Sequence, residues 1–185
     1  MEHSGLIQRR VLADARGVAS AVDEIARAVG ASDMQPPLCV VGIQTGGVYL
    51  AKRLIDRLRQ EGAEEPPMGV LDITLYRDDI FLGLQQPLVR KTDLPFEVDG
   101  ASILLVDDVL YTGRTVRAAL DALVEFGRPR VVRLAVLVDR GLREYPIQAD
   151  WVGLKAGTSP DETVRMELVE MGFSEDRVVI YAKED

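Results

Sequence analysis

Apolar and polar positions change period along the chain, and the changes mark out alternating strands and helices. Leu6–Leu12 is a short mixed stretch that reads as a strand. From Asp14 to Val29, Val18, Val22, Ile25 and Val29 recur at helical spacing, with Gly30 as a stop signal. After the Pro36-Pro37 linker, Leu38–Ile43 (LCVVGI) is a continuous apolar run, the mark of a strand covered on both faces. It ends in Gln44-Thr45-Gly46-Gly47. A second helix is predicted from Val48 to Leu58, with Val48, Ala51, Ile55 and Leu58 on one face. Gly69–Tyr76 (GVLDITLY) reads as the next strand. Periodicity then fails from Ile80 to Pro95, a length that inside a compact domain predicts a functional loop, here a lid over about 78–96.

The same alternation resumes afterwards. Ala101–Val106 is a buried strand, Thr115–Phe126 its helix, and Gly127 and Pro129 close that helix. Arg130–Val138 is another buried strand, ending in Asp139-Arg140-Gly141. Trp151–Gly153 is a short apolar piece. Thr163–Leu168 and Arg177–Tyr181 alternate as strands of a small subdomain. Strands alternating with helices predict an α/β fold with a mainly parallel central sheet and helices on both faces. Right-handed crossovers then bring the loops after Ile43, Val106 and Val138 to one edge of that sheet. A small hood, from the N-terminal strand and about 142–185, completes a single domain of 185 residues.

Composition narrows the chemistry. A hydrophobic content of 47% supports a sizeable core, and a net charge of −8 argues against an overall basic nucleic-acid surface. The single cysteine, Cys39, excludes an intrachain disulfide and suits a reducing compartment; inside its apolar run it is expected to be buried packing. His3 is the only histidine, so a tight transition-metal site is not expected. No apolar run approaches the ~20 residues of a membrane helix, so a cytoplasmic location without a membrane partner is expected.

The chemistry concentrates in Ile103–Thr115 (ILLVDDVLYTGRT). Apolar residues run into Asp107 and Asp108, and Thr112-Gly113-Arg114-Thr115 opens the following helix. In open α/β sheets ligands bind at this edge, and a helix start favours phosphate. The pair of acids beside an anion site suits a phosphorylated sugar. The carboxylates serve equally as acceptors for ribose hydroxyls or as ligands of Mg²⁺ completed by substrate phosphates. Neither a triphosphatase P-loop nor a dinucleotide fingerprint fits. Asp108 stands where the former needs glycine, Arg114 where it needs lysine, and the Gly46-Gly47 turn lacks the spacing of the latter.

An apolar strand, two acids, a short spacer and T-G-[KR]-T resemble the phosphoribosyl pyrophosphate (PRPP) signature of type I phosphoribosyltransferases. More segments resemble one branch, the PyrR family of pyrimidine operon regulators with uracil phosphoribosyltransferase activity. They are Val41–Ile43, Val48–Leu54, Asp72–Asp79 (DITLYRDD), Pro87–Val89, Val106–Arg117 and Leu134–Gly141. The resemblance implies that Asp107 and Asp108 bind the ribose hydroxyls. It implies a 5′-phosphate loop built by Thr112, Gly113, Arg114 and Thr115, with Val109, Leu110 and Tyr111 lining its approach. It further implies a pyrophosphate loop at Thr45, Gly46 and Gly47, a pyrophosphate cation at Arg77 with Arg90 or Lys91, and base or nucleotide contacts at Arg140 and Val164. Mg²⁺ is held mainly through PRPP rather than by protein ligands. Uracil and PRPP are the implied substrates, UMP or UTP the nucleotides, and pyrimidine-operon mRNA a further partner through Arg143, Arg9 and Arg10. At least a homodimer is implied, with Leu110 or Tyr111 as interface candidates.

The chain departs from that pattern in places that matter. The usual T-R-G of the pyrophosphate loop is Thr45-Gly46-Gly47, so a cation is missing there and weaker pyrophosphate binding is expected. Leu142 replaces a histidine, and Gln148 and Leu154 replace basic residues on the face that the family uses for RNA. Loss of phosphate-facing cations weakens RNA binding. Two alternatives follow: a nucleotide-responsive mRNA attenuator with weak or no catalysis, and a phosphoribosyltransferase for a different base.

Overall fold

The computed structural model describes residues 6–76 and 91–183. In chain order, the long elements are β1 (Leu6–Ala13), α1 (Ala15–Gly30), β2 (Leu38–Ile43), α2 (Gly46–Gln60), β3 (Met68–Leu71), β4 (Ser102–Leu110), α3 (Arg114–Leu123), β5 (Val131–Asp139), β6 (Trp151–Lys155), β7 (Glu162–Glu167) and β8 (Arg177–Lys183). β3-β2-β4-β5-β6 form an all-parallel sheet, and β1-β8-β7 an antiparallel one.

The parallel sheet is covered on both sides because its central strands carry continuous apolar runs, Leu38–Ile43, 103–106 and 134–138. Alternate residues take opposite faces. Val40, Leu104, Val106, Ala135 and Leu137 pack with α1, α2 and the inner face of the antiparallel sheet. Val41, Ile43, Ile103, Leu105 and Val136 pack under α3, beside Cys39, which is buried as expected. α1 starts where Asp14 caps it, its Oδ1 accepting from the Gly17 amide at 2.9 Å.

Five boundaries differ from the sequence expectation. The strand expected over Gly69–Tyr76 stops at Leu71. Asp72 is buried, and its Oδ1 accepts from the Thr74 amide at 2.9 Å, turning the chain into a short 3₁₀ helix, Thr74–Tyr76. β4 does not end at Val106 but continues through both acids, because its ladder with β5 persists: Asp107 pairs with Val136, Val109 with Val138 and Leu110 with Asp139. α2 begins two residues earlier than expected, at Gly46, and α3 ends at Leu123 with a 3₁₀ turn over Val124–Phe126.

The fifth concerns the hood. Residues 151–155 lie in the parallel sheet, where Val152 pairs with Val136 and Leu154 with Val138. The antiparallel sheet is built from β1, β7 and β8. Of the expected lid, residues 78–90 lie outside the described residues, as do Arg77, Arg90 and His3. Lys91 is exposed, and Asp93 bridges Val70 at the edge of β3. Leu110 is 1% exposed in the chain's own core, which removes it as an interface candidate. Among the described residues no helix is long and apolar enough to cross a membrane.

Candidate active site

Parallel strands bring the loops after β2, β4 and β5 to the same sheet edge, and the contact between the first two is backbone to backbone. A Cβ at Gly47 would lie 2.3 Å from the Val106 carbonyl oxygen and 3.1 Å from the Asp107 Cα. Behind it, a Cβ on Gly42 would lie 2.6 Å from the Val48 Cα. Glycine at both positions lets the first turn of α2 press on β4 beside the acids. Thr45, at the N-cap, is exposed, and its side chain makes no capping bond. Gly46 faces the second acid: a Cβ there would come within 2.3 Å of Asp108 Oδ2. The missing cation is therefore not a simple vacancy, since any side chain at 46 first displaces the Asp108 carboxylate from its present position.

The two acids differ in environment. Asp107 is 5% exposed, and its Oδ1 accepts from the Asp108 amide at 3.0 Å. Burial, and then the neighbouring Asp108 charge, push the Asp107 carboxyl well above the ordinary carboxylate range. Asp108 is half-buried; its Oδ1 accepts from the Val109 amide at 3.0 Å, and the residue lines a cavity of about 800 Å³. The opposite wall belongs to the antiparallel sheet and its β7–β8 loop: Val164, Met166, Glu167, Met171, Phe173 and Tyr181.

Past β4, Gly113 takes φ +92° and serves as N-cap of α3 without a capping side chain. A glycine is needed there, because side-chain-bearing residues rarely adopt that conformation. The Thr112 hydroxyl accepts from the Arg114 amide at 3.3 Å, and Thr115 is half-buried in the first helical turn. The 139–147 segment holds this turn from outside. The Thr112 carbonyl accepts from the Glu144 amide at 2.9 Å and the Tyr145 amide at 3.0 Å. Arg114 pairs with Glu144 at 2.7 Å and lies over the Tyr145 ring. The turn thus presents a helix start suited to an anion, with its carbonyls tied away.

Arg143 is part of that scaffold rather than of an exposed basic face. Its guanidinium donates to the carbonyls of Tyr111 (2.8 Å), Ile147 (2.9 Å), Gly141 (3.0 Å) and Leu110 (3.4 Å) and to Asp139 Oδ1 (2.7 Å). The guanidinium expected to contact RNA is thus already engaged within the chain. Arg143→Gln is expected to lower stability by about 1–3 kcal/mol, since it leaves covered carbonyls unpaired, whereas Arg9→Gln on exposed β1 changes it by less than about 0.5 kcal/mol. Thermal unfolding of the two variants checks this, and equal melting of both would restore Arg143 as a surface cation.

Arg140 is likewise engaged. It stacks on Tyr111 at 4.0 Å and donates to Thr158 Oγ1 (3.1 Å), the Ser159 carbonyl (3.2 Å) and the Glu162 carbonyl (2.7 Å). It therefore anchors the chain leading into β7, on which Val164 sits at 6% exposure. Arg9 and Arg10 are exposed on β1, with Arg10 donating to the Gly157 carbonyl at 2.9 Å. The cavity wall of Met166, Glu167, Met171, Phe173 and Tyr181 was not singled out from the sequence. Its only signal is that Arg165 and Glu167 alternate with Val164 and Met166, a two-faced strand.

Asp107 and Asp108 supply carboxylate oxygens, but among the described residues no group of three or more His, Cys, Asp or Glu side chains gathers to hold a metal. A hard divalent cation here would need the oxygens of a phosphorylated ligand.

The fold and the sequence have known counterparts. The solved hypoxanthine phosphoribosyltransferase of Trypanosoma cruzi superposes with a TM-score of 0.71 at 18% identity, covering 96% of this chain and 98% of that one. A hypoxanthine phosphoribosyltransferase of Staphylococcus aureus gives 0.70 at 22% identity, covering 96% and 93%. These likenesses speak for the fold alone. The phosphoribosyl transferase domain model matches residues 10–170. The "Bifunctional protein PyrR" of Syntrophobacter fumaroxidans is 50% identical over 172 residues, 92% of each chain, and that of Thermus aquaticus is 54% identical over 147 residues, 80% of this chain and 81% of that one. With the type I phosphoribosyltransferase architecture and half its residues shared with such relatives over most of their length, the chain belongs to the phosphoribosyl transferase domain family and, within it, to the PyrR branch.

Proposed function

We propose that this sheet edge converts uracil and PRPP to UMP and pyrophosphate, the uracil phosphoribosyltransferase activity of a bifunctional pyrimidine operon regulator. The observation that supports it best is the juxtaposition around β4. Two acids, a glycine-packed loop and an open helix start surround one point beside an 800 Å³ cavity.

Asp107 and Asp108 accept hydrogen bonds from the ribose 2′- and 3′-hydroxyls. Thr112, Gly113, Arg114 and Thr115 hold the 5′-phosphate through amides and hydroxyls, Val109 and Tyr111 shape the approach, and Leu110 packs in the core beneath them. Thr45, Gly46 and Gly47 receive pyrophosphate through backbone amides, with Arg77 as its cation. Val164 faces the base side, while Arg140 positions the chain that carries it. Mg²⁺, held mainly through PRPP, would neutralise pyrophosphate charge. In the reaction the C1′–oxygen bond to pyrophosphate breaks, the bond from uracil N1 to C1′ forms, and the N1 proton leaves to solvent. Positioning and electrostatics supply the rate enhancement, so no protein nucleophile is required.

Incubation with PRPP, Mg²⁺ and a base panel tests the assignment. UMP from uracil, with hypoxanthine and guanine at least about tenfold poorer, is the expected result, corresponding to about 1.4 kcal/mol of discrimination. Purine preference would instead favour the reading as a transferase for another base. The regulatory arm places mRNA contacts on the β1 side, at Arg9 and Arg10, rather than at Arg143. A gel shift with pyrimidine-operon leader RNA checks it, with nucleotide-dependent retardation expected and loss of it in an Arg9→Gln, Arg10→Gln double variant.

A further inference from the structure

Arg53 lies on α2, seven residues beyond the start of that helix at Gly46, and is not part of any loop at the sheet edge. Its side chain is 21% exposed and joins segments far apart in sequence. Nε donates to Glu170 Oε1 at 2.8 Å, Nη1 to Asp176 Oδ2 at 2.6 Å, and Nη2 reaches both Asp176 Oδ1 at 3.0 Å and Glu170 Oε2. An exposed single ion pair contributes little, but a largely covered arginine bound to two carboxylates in fork geometry is a different case.

Both carboxylates belong to the β7–β8 loop. Asp176 also closes that loop on itself, since its Oδ1 accepts from the Val169 amide at 3.0 Å. Between them the chain makes a 3₁₀ turn over Val169–Met171 and a left-handed Gly172 at φ +92°. Met171, Gly172 and Phe173, held between the two clamped acids, form one wall of the cavity that Asp108 lines from the other side. Besides this clamp the loop is held by buried Leu168 and by Met171 packing on the core, while Val169 and Phe173 are 57% and 41% exposed.

We propose that Arg53 is a positioning residue for the base side of the site. Through Glu170 and Asp176 it sets the distance between the Met171–Phe173 wall and Asp108, and so the size of base that the cavity accepts. The hydrogen bonds of the Arg53 guanidinium go to the β7–β8 loop, whereas the ribose and 5′-phosphate side rests on β4 and α3. The proposal therefore separates the two halves of a nucleotide, and it rests on the reading of this edge as a nucleotide site.

Calorimetric titration of the full chain with UMP and with ribose 5-phosphate tests it on wild type, Arg53→Met and Glu170→Gln. Arg53→Met is expected to bind UMP about tenfold more weakly, the size of a displaced wall, with ribose 5-phosphate affinity within about twofold of wild type. Glu170→Gln, which keeps Asp176 on the clamp, is expected to shift in the same direction by less and supplies the test if Arg53→Met fails to fold. In the base-panel assay Arg53→Met should lose discrimination against the larger purines. Wild type that binds neither ligand overturns the nucleotide-site reading and this proposal with it. Wild type that binds both, with variants that keep UMP affinity or lose both ligands equally, overturns the role of Arg53 alone.

Discussion

Gly47→Ala is expected to cut turnover about a hundredfold, the loss that follows a displacement of roughly 1 Å between reacting parts. The new Cβ would lie 2.3 Å from the Val106 carbonyl oxygen, and that oxygen belongs to a central strand that cannot swing aside. The first turn of α2 must lift off β4, carrying Thr45 and Gly46 away from the two acids. Overpacking of this kind costs about 1–3 kcal/mol, which in a chain of this size lowers Tm by roughly 2–12 °C. Gly46→Ala supplies the contrast. Its Cβ would lie 2.3 Å from the Asp108 Oδ2 and 2.9 Å from the Asp108 Cβ; rotation relieves the first contact by moving the acid proposed to bind ribose, and only a small backbone shift relieves the second. Gly46→Ala is therefore expected to lose less stability than Gly47→Ala and still lose kcat/KM for PRPP. Steady-state kinetics with melting curves separate the two; full turnover in Gly47→Ala would refute the backbone-contact account.

Asp107→Asn is expected to abolish measurable turnover and yet to melt higher than wild type at neutral pH. Burial and the Asp108 charge hold the Asp107 carboxyl well above its ordinary range, so the folded protein binds that proton more tightly than the unfolded chain does. Stability then falls as pH rises from the ordinary carboxylate value, about 3.9, towards the raised one. Asparagine has no proton to lose and escapes that fall. The melting advantage of the variant should be small near pH 4 and grow on the way to pH 7, by roughly 2–4 °C for each 1 kcal/mol. An advantage that stays constant across this range would remove the ionisation argument.

The two variants act on the same few ångströms for different reasons, and the sequence exposed those reasons unequally. Asp107 and Asp108 stand out after four apolar residues, and a strand–acid–glycine–helix order is local. So are the period changes that marked β2, β4, β5, α1 and α2. Boundaries were less legible where backbone pairing overrode side-chain pattern. β4 runs on to Leu110 because β5 continues beside it, and β3 stops at Leu71 because Asp72 turns the chain. Trp151–Gly153 read as an isolated apolar piece, but β5 recruits it as the sheet's edge strand.

Charge was the least legible property. Arg143, Arg140 and Arg53 look alike in the sequence as basic residues near motifs. Only the fold shows that the first ties loop carbonyls, the second anchors the chain into β7, and the third clamps the β7–β8 loop. By itself the sequence determined the parallel α/β class, the sheet edge proposed for the ligand, and the acids and glycine turn there, because each depends on residues adjacent in the chain. Tertiary structure alone decided that Gly47 packs on Val106, that Asp107 sits in a medium hostile to charge, and that the cavity's far wall comes from a sheet joining the first strand to the last. Those properties depend on what approaches a residue through space, and a long-range contact leaves no periodic trace in the chain that makes it.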